Sequence, residues 1–118
     1  MDGSFETFTQ DWQPQTSLIH GGLNRSSHQE TSEALFLTSG YVYDTAEEAE
    51  AAFKGDHKHY IYGRYDNPTV AAFEERLRLL EGAEVCKGTA SGMAAMHAAL
   101  ICQLQASDKV VASRALFG

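Results

Sequence analysis

Tyr62-Gly63-Arg64-Tyr65-Asp66-Asn67-Pro68-Thr69, followed after one amphipathic stretch by Ser91-Gly92-Met93-Ala94-Ala95, sets the fold class of this chain. The first run places a tyrosine and an arginine just before a helix start, because Pro68 suits a first helical position and Asn67 suits the cap before it. The second opens another helix, with Ser91 as cap and Gly92 and Met93 in its first turn. Backbone N–H groups at a helix start lack intrahelical acceptors, and the helix dipole adds partial positive charge there, so the element accepts an anion such as phosphate. Arg64 adds a full charge. Each charged hydrogen bond to a dianionic phosphate is worth about 1.5–3 kcal/mol, more than the dipole contributes alone. A serine-glycine cap before an alanine-rich helix also begins many purely structural helices, and an arginine before a helix is often only a surface residue.

Working outward, Val70, Phe73, Leu77 and Leu80 recur at spacings of three and four, which predicts a helix from Pro68 to Gly82 with that stripe as its core face. Glu74, Glu75, Arg76 and Arg78 then form its solvated face. Asp44 with Glu47 makes a capping-box pair for an earlier helix, with Ala46, Ala49 and Phe53 on one face and Gly55 as its stop. The last third reads as a β-α-β unit. It has a strand near 84–87, a turn through Gly88-Thr89-Ala90-Ser91-Gly92, a helix to about Gln105, and a strand at 109–112 after a short loop that suits a parallel crossover. Ligands of open α/β sheets bind beyond the carboxyl ends of strands, where both Ser91-Gly92-Met93 and Leu116-Phe117-Gly118 then fall. Residues 1 to about 33 show no sustained period and predict an extended arm. The aromatic and branched segment 34–43, with Gly40 inside it, predicts extended backbone.

Composition narrows the class. At 118 residues, 43% hydrophobic and 21% charged, the chain resembles ordinary globular proteins and has the length of one small domain. Its net charge of −7, with nine scattered Lys and Arg residues, argues against non-specific nucleic-acid binding. No apolar run reaches bilayer length, and the acidic start Met1-Asp2-Gly3-Ser4-Phe5-Glu6 lacks the basic-then-apolar order of a secretory signal, so a cytoplasmic location is expected. Cys86 and Cys102 form no C-x-x-C pair and predict two buried reduced thiols. His57-Lys58-His59 is expected to be a solvated loop rather than a metal chelate. His97 and Met96 are expected to be packing residues.

These motifs closely resemble the pyridoxal-phosphate enzymes of cysteine and methionine metabolism, a family that includes cystathionine γ-synthase, the γ- and β-lyases and the homoserine-ester sulfhydrylases. The resemblance spans about residues 16–118, starting at Thr16-Ser17-Leu18-Ile19-His20-Gly21-Gly22. It implies an α/β fold, an N-terminal arm plus the start of the large domain of a fold-type-I transferase. Residues 1–57 would be the arm and a short helix making oligomer contacts, and 58–118 the beginning of the cofactor domain. The implied cofactor is pyridoxal 5'-phosphate. Tyr62 and Arg64 match the element that reaches into the partner subunit's site, with Tyr62 also a candidate catalytic group. Ser91, Gly92 and Met93 match the phosphate-binding turn, and Phe117 the aromatic that stacks on the cofactor ring. Tyrosine is common at that last position, and glycine is more usual than Asp66 before the Asn-Pro.

The segment Ala112-Ser113-Arg114-Ala115-Leu116-Phe117-Gly118 looks most like the sulfhydrylases that use the succinyl ester. The implied reaction is γ-replacement, in which sulfide displaces succinate from Cγ to give homocysteine, in a homotetramer built as a dimer of active dimers. A synthase or lyase of the same family is the alternative. None of Lys54, Lys58, Lys87 and Lys109 sits in the family's Schiff-base motif, and the pyridine-nitrogen acid is also missing, so the chain is expected to be the N-terminal portion of such an enzyme and inactive alone. Two other classes stay open. One is a non-catalytic module that keeps the phosphate cradle and dimerising arm; the other is a bare structural α/β domain indifferent to the cofactor.

Overall fold

The computed structural model describes residues 12–116, which form four helices in the order α1 (Pro14–His20), α2 (Ala46–Lys54), α3 (Pro68–Glu81) and α4 (Gly92–Ile101). The described chain divides into two compact units, one ending at Gly88 and one beginning at Thr89. The 57/58 boundary expected from sequence falls inside the first. No described helix is long and apolar enough to cross a membrane.

Helix α3 organises the first unit. Asn67 caps it by accepting a hydrogen bond from Thr69 N at 2.9 Å, Pro68 occupies its first turn, and Gly82 stops it in the left-handed region. Ala83 N donates to Arg78 O and Gly82 N to Leu79 O, the paired bonds of a glycine-terminated helix. Helix α2 ends the same way at Gly55 but begins one residue later than predicted. Thr45, not Asp44, is the cap: its hydroxyl accepts from Glu48 N, and Glu48 in turn accepts from Asp44 N. Asp44-x-x-Glu47 and Thr45-x-x-Glu48 both fit the capping pattern; the second forms, with Glu48 reaching back to the N–H of Asp44, one residue before the cap.

The arm is not wholly extended. Pro14–His20 is a helix, opened by a proline and closed before Gly21-Gly22, and it packs on α3 of the same chain. Gly21 and Gly22 are buried there. Gly22 has φ +67°, and a Cβ on it would meet Ala72 O at 2.9 Å, so a side chain at this crossing is excluded by both conformation and space. A seven-residue helix has little stability of its own, and this tertiary contact, absent from the local pattern, accounts for it.

The arm is fixed by α3 residues that sequence assigned to solvent. Arg76 donates to both carboxylate oxygens of Glu33, at 2.6 and 2.8 Å, and through Nε to Gly21 O at 2.9 Å. Arg78 is paired with Glu75, while Glu74 accepts from Lys87 and from Gly88 N. This is a half-buried fastening face. Of the predicted core stripe, Phe73 is 54% exposed and Val70 and Leu80 are exposed with it, while Leu77 is half-buried.

The Arg76 guanidinium holds the Glu33 carboxyl down to about 2. A folded-state value below the unfolded one means the pair stabilises the arm above the ordinary carboxylate value of about 4.5, and that this is lost as pH falls toward about 2. In the full-length protein, Arg76→Gln is expected to speed amide exchange in residues 21–36 at neutral pH. The difference from the parent should shrink as pH falls toward about 2, leaving the part due to the Arg76–Gly21 bond. A difference unchanged across that window would show that the pair does not fasten the arm.

Residues 84–87 and 109–112 are not strands. Among the described residues the β-type pairing is one isolated antiparallel bridge, Gly40 to Tyr62. A strand is defined by hydrogen bonds to another segment, and a branched, apolar sequence without a ladder stays irregular. The strand-end location expected for Ser91-Gly92-Met93 is therefore missing. Helix α4 stops at Ile101, short of Gln105, and none of its residues is buried, Met96 and His97 included. Cys86 is half-buried and Cys102 exposed, so neither is the buried thiol expected.

Buried hydrophobic residues among those described are only Ala52 and Ala72. Leu37, Val42 and Val111 are 94%, 89% and 98% exposed, and Phe53 is 68% exposed on α2 where a core face was predicted. So large an uncovered apolar surface is uncommon in a monomeric soluble domain.

Candidate functional site

Tyr62 and Arg64 lie on a tight turn, closed by Tyr65 N donating to Tyr62 O at 2.8 Å and Asp66 N to the same oxygen at 3.2 Å. The turn is held to the extended segment by Gly63 N donating to Ser39 O at 2.8 Å. A Cβ on Gly63 would stand 2.9 Å from Thr38 O, so glycine lets the two backbones approach. Asn67, the buried polar residue among those described, completes the fastening. While its Oδ1 caps α3, its Nδ2 donates to Phe36 O at 3.0 Å and reaches Thr38 O at 3.5 Å. Thr69 Oγ1 accepts from Phe36 N at 2.9 Å. Sequence marked Asn67 as a cap alone; its burial between two segments is tertiary information.

The Arg64 side chain is exposed and lies over tyrosine rings, its guanidinium carbon 4.6 Å from the Tyr65 centroid and 5.9 Å from that of Tyr62. Among the described residues no carboxylate pairs with it. Its N–H donors are therefore available to an external anion. Nearby, Tyr41 and Tyr60 stack at 5.4 Å; burial, with the Asp66 charge second, pushes both hydroxyls up. His59 is half-buried against Tyr43 at 4.6 Å, with Nδ1 2.6 Å from Tyr60 O, so it is not the solvated loop residue expected.

In the second unit, Ser91 caps α4 as predicted. Its hydroxyl accepts from Ala94 N at 3.1 Å and its carbonyl from Ala95 N at 3.0 Å. Thr89 Oγ1 donates to the same carbonyl. With the third and fourth N–H groups of the helix satisfied in this way, those of Gly92 and Met93 have no acceptor among the described residues. Both residues are exposed, and the space a Gly92 side chain would fill is open. Two outward N–H groups at the positive end of a helix suit a phosphate group. Phe117 lies outside the described residues.

A family described as Cys/Met metabolism PLP-dependent enzyme matches residues 15–118. The chain is 56% identical over 100 residues to an O-succinylhomoserine sulfhydrylase of Mycobacterium tuberculosis, covering 85% of this chain and 25% of that protein. It is 46% identical over 103 residues to an O-succinylhomoserine sulfhydrylase of Pseudomonas aeruginosa, covering 87% and 26%. A solved Campylobacter jejuni structure, designated O-acetylhomoserine (thiol)-lyase and carrying a pyridoxyl-lysine phosphate, superposes with a TM-score of 0.71 at 31% identity, over 77% of this chain and 22% of that one. The chain spans about a quarter of the length of the curated relatives it matches.

Proposed function

Because this chain belongs to the pyridoxal-phosphate-dependent enzymes of cysteine and methionine metabolism, we propose that it is the N-terminal part of an O-succinylhomoserine sulfhydrylase, which makes homocysteine from O-succinylhomoserine and sulfide. The similarity to sulfhydrylases at 56% and 46% identity carries the choice of branch. Two separate observations among the described residues fit the cofactor's phosphate: N–H groups without acceptors at the start of α4, and, in the other unit, an Arg64 guanidinium with no carboxylate partner. When bound, the cofactor supplies an electron sink for carbanions at the substrate's α and β carbons.

Gly92 and Met93 would hold the phosphate through backbone N–H groups, with Ser91 fixing the helix start. Arg64 and Tyr62 would serve the site of a partner subunit, Arg64 by charge and Tyr62 by its hydroxyl, which would also hold or move a proton. Phe117, lacking a hydroxyl, would stack on the pyridine ring and take no part in proton transfer. In this proposal 1–57 supplies oligomer contacts and 58–118 begins a fold-type-I α/β domain, whose remaining chain and neighbouring subunits cover the apolar residues left exposed here. That uncovered surface speaks against a bare structural domain.

Full-length protein given sulfide and O-succinylhomoserine is expected to release homocysteine and succinate in equal amounts, and to release little keto acid from cystathionine. Rapid pyruvate or 2-oxobutyrate release from cystathionine would move the assignment to the lyase branch. Absence of any pyridoxal-phosphate-dependent turnover would favour the non-catalytic module.

A further inference from the structure

We propose that Tyr65 is a positioning residue that holds the Arg64 guanidinium over its ring, ordering it for an anionic phosphate without neutralising its charge. This rests on the phosphate-cradle proposal and extends it to a residue that contacts no phosphate. An arginine on an exposed turn ordinarily samples many rotamers, and ordering it on binding lowers affinity. An acidic neighbour would order it but would also neutralise it and occupy its N–H groups. Here the ordering group is aromatic. The guanidinium carbon stands 4.6 Å from the Tyr65 centroid, over the ring and inside cation–π range, and a ring, unlike a carboxylate, neither neutralises the charge nor accepts conventional hydrogen bonds from the guanidinium.

The Tyr65 ring is itself braced. It meets Tyr62 edge-to-face, with centroids 6.2 Å apart and planes at 69°, and its own N–H closes the turn on Tyr62 O. Asn67, two residues on, is buried and fixed to the extended segment. The arginine therefore lies on a ring whose position is set by the backbone beneath it.

The test uses the full-length protein, stripped of cofactor and titrated by fluorescence with pyridoxal phosphate and, separately, with pyridoxal. Tyr65→Leu is expected to weaken pyridoxal-phosphate binding about two- to tenfold, while pyridoxal binding stays unchanged. Tyr65→Phe, which keeps the ring, is expected to stay within about twofold of the parent. In an Arg64→Ala background, Tyr65→Leu should produce no further loss, because the two residues act as one unit. Leu weakening both ligands equally, an undiminished loss in the Arg64→Ala background, or a Leu variant binding like the parent would each overturn the role of Tyr65 while leaving the cradle standing. If Arg64→Ala alone spares the preference for the phosphorylated ligand, the cradle proposal fails, and the role of Tyr65 with it.

Discussion

Arg64→Ala in the full-length protein is expected to weaken pyridoxal-phosphate retention by about ten- to a hundredfold, the value of one charged hydrogen bond at about 1.5–3 kcal/mol. Tyr62→Phe removes one neutral donor, worth about 0.5–1.5 kcal/mol, and should cost no more than about tenfold. The ordering follows from charge: a guanidinium with no carboxylate partner among the described residues meets a dianion, whereas the tyrosine offers a single hydroxyl. Equilibrium dialysis against the cofactor measures both. The same variant tests the assembly proposal, because an arginine acting across a subunit boundary can be complemented. Mixed dimers of Arg64→Ala chains and chains lacking the catalytic lysine should regain part of the parental activity. If verified mixed dimers stay inactive, Arg64 and the lysine serve one site in one subunit.

The second large effect is on stability. Asn67→Ala removes the α3 cap, worth about 1 kcal/mol, and the donor to Phe36 O and Thr38 O, worth about another 1–2 kcal/mol, so a loss of about 2–3 kcal/mol is expected. Asn67→Ser separates the two parts, since serine caps the helix but cannot reach both carbonyls. It should recover about a third to a half of the loss. Urea unfolding of the cofactor-free full-length protein gives the comparison. A serine variant as stable as the parent would show that the bridge to the extended segment contributes nothing, and the positioning of the Tyr62–Asp66 turn would then need another cause.

Both effects arise where sequence was informative about residue type and silent about partners. Asn67-Pro68 was legible as a helix start because proline fixes φ and lacks an N–H, and asparagine's short side chain reaches the second N–H. Nothing local told that the other end of the same carboxamide holds a segment some thirty residues upstream. Arg76 shows the same limit. In a helical pattern it sits on the polar face and reads as solvated, yet it binds Glu33 and Gly21 O, because an arm that forms α1 crosses α3 there. The expected apolar stripe of α3 went astray for the complementary reason. Periodicity identifies a face that needs covering and does not say which polypeptide covers it.

The sequence by itself determined the ends of α2, α3 and α4 to within about one turn, the capping serine at 91, and the chemical character of Tyr62, Arg64, Gly92 and Met93. These depend on interactions within a few residues, where cap chemistry and backbone conformation dominate. Tertiary structure alone decided the rest: that residues 14–20 coil into a helix against α3, that 84–87 and 109–112 lack the ladder a strand requires, and that Asn67 and Gly63 pin the arginine turn to residues 36–39. Each is a relation between segments far apart in the chain, stabilised by burial and by hydrogen bonds that exist only once both segments are in place.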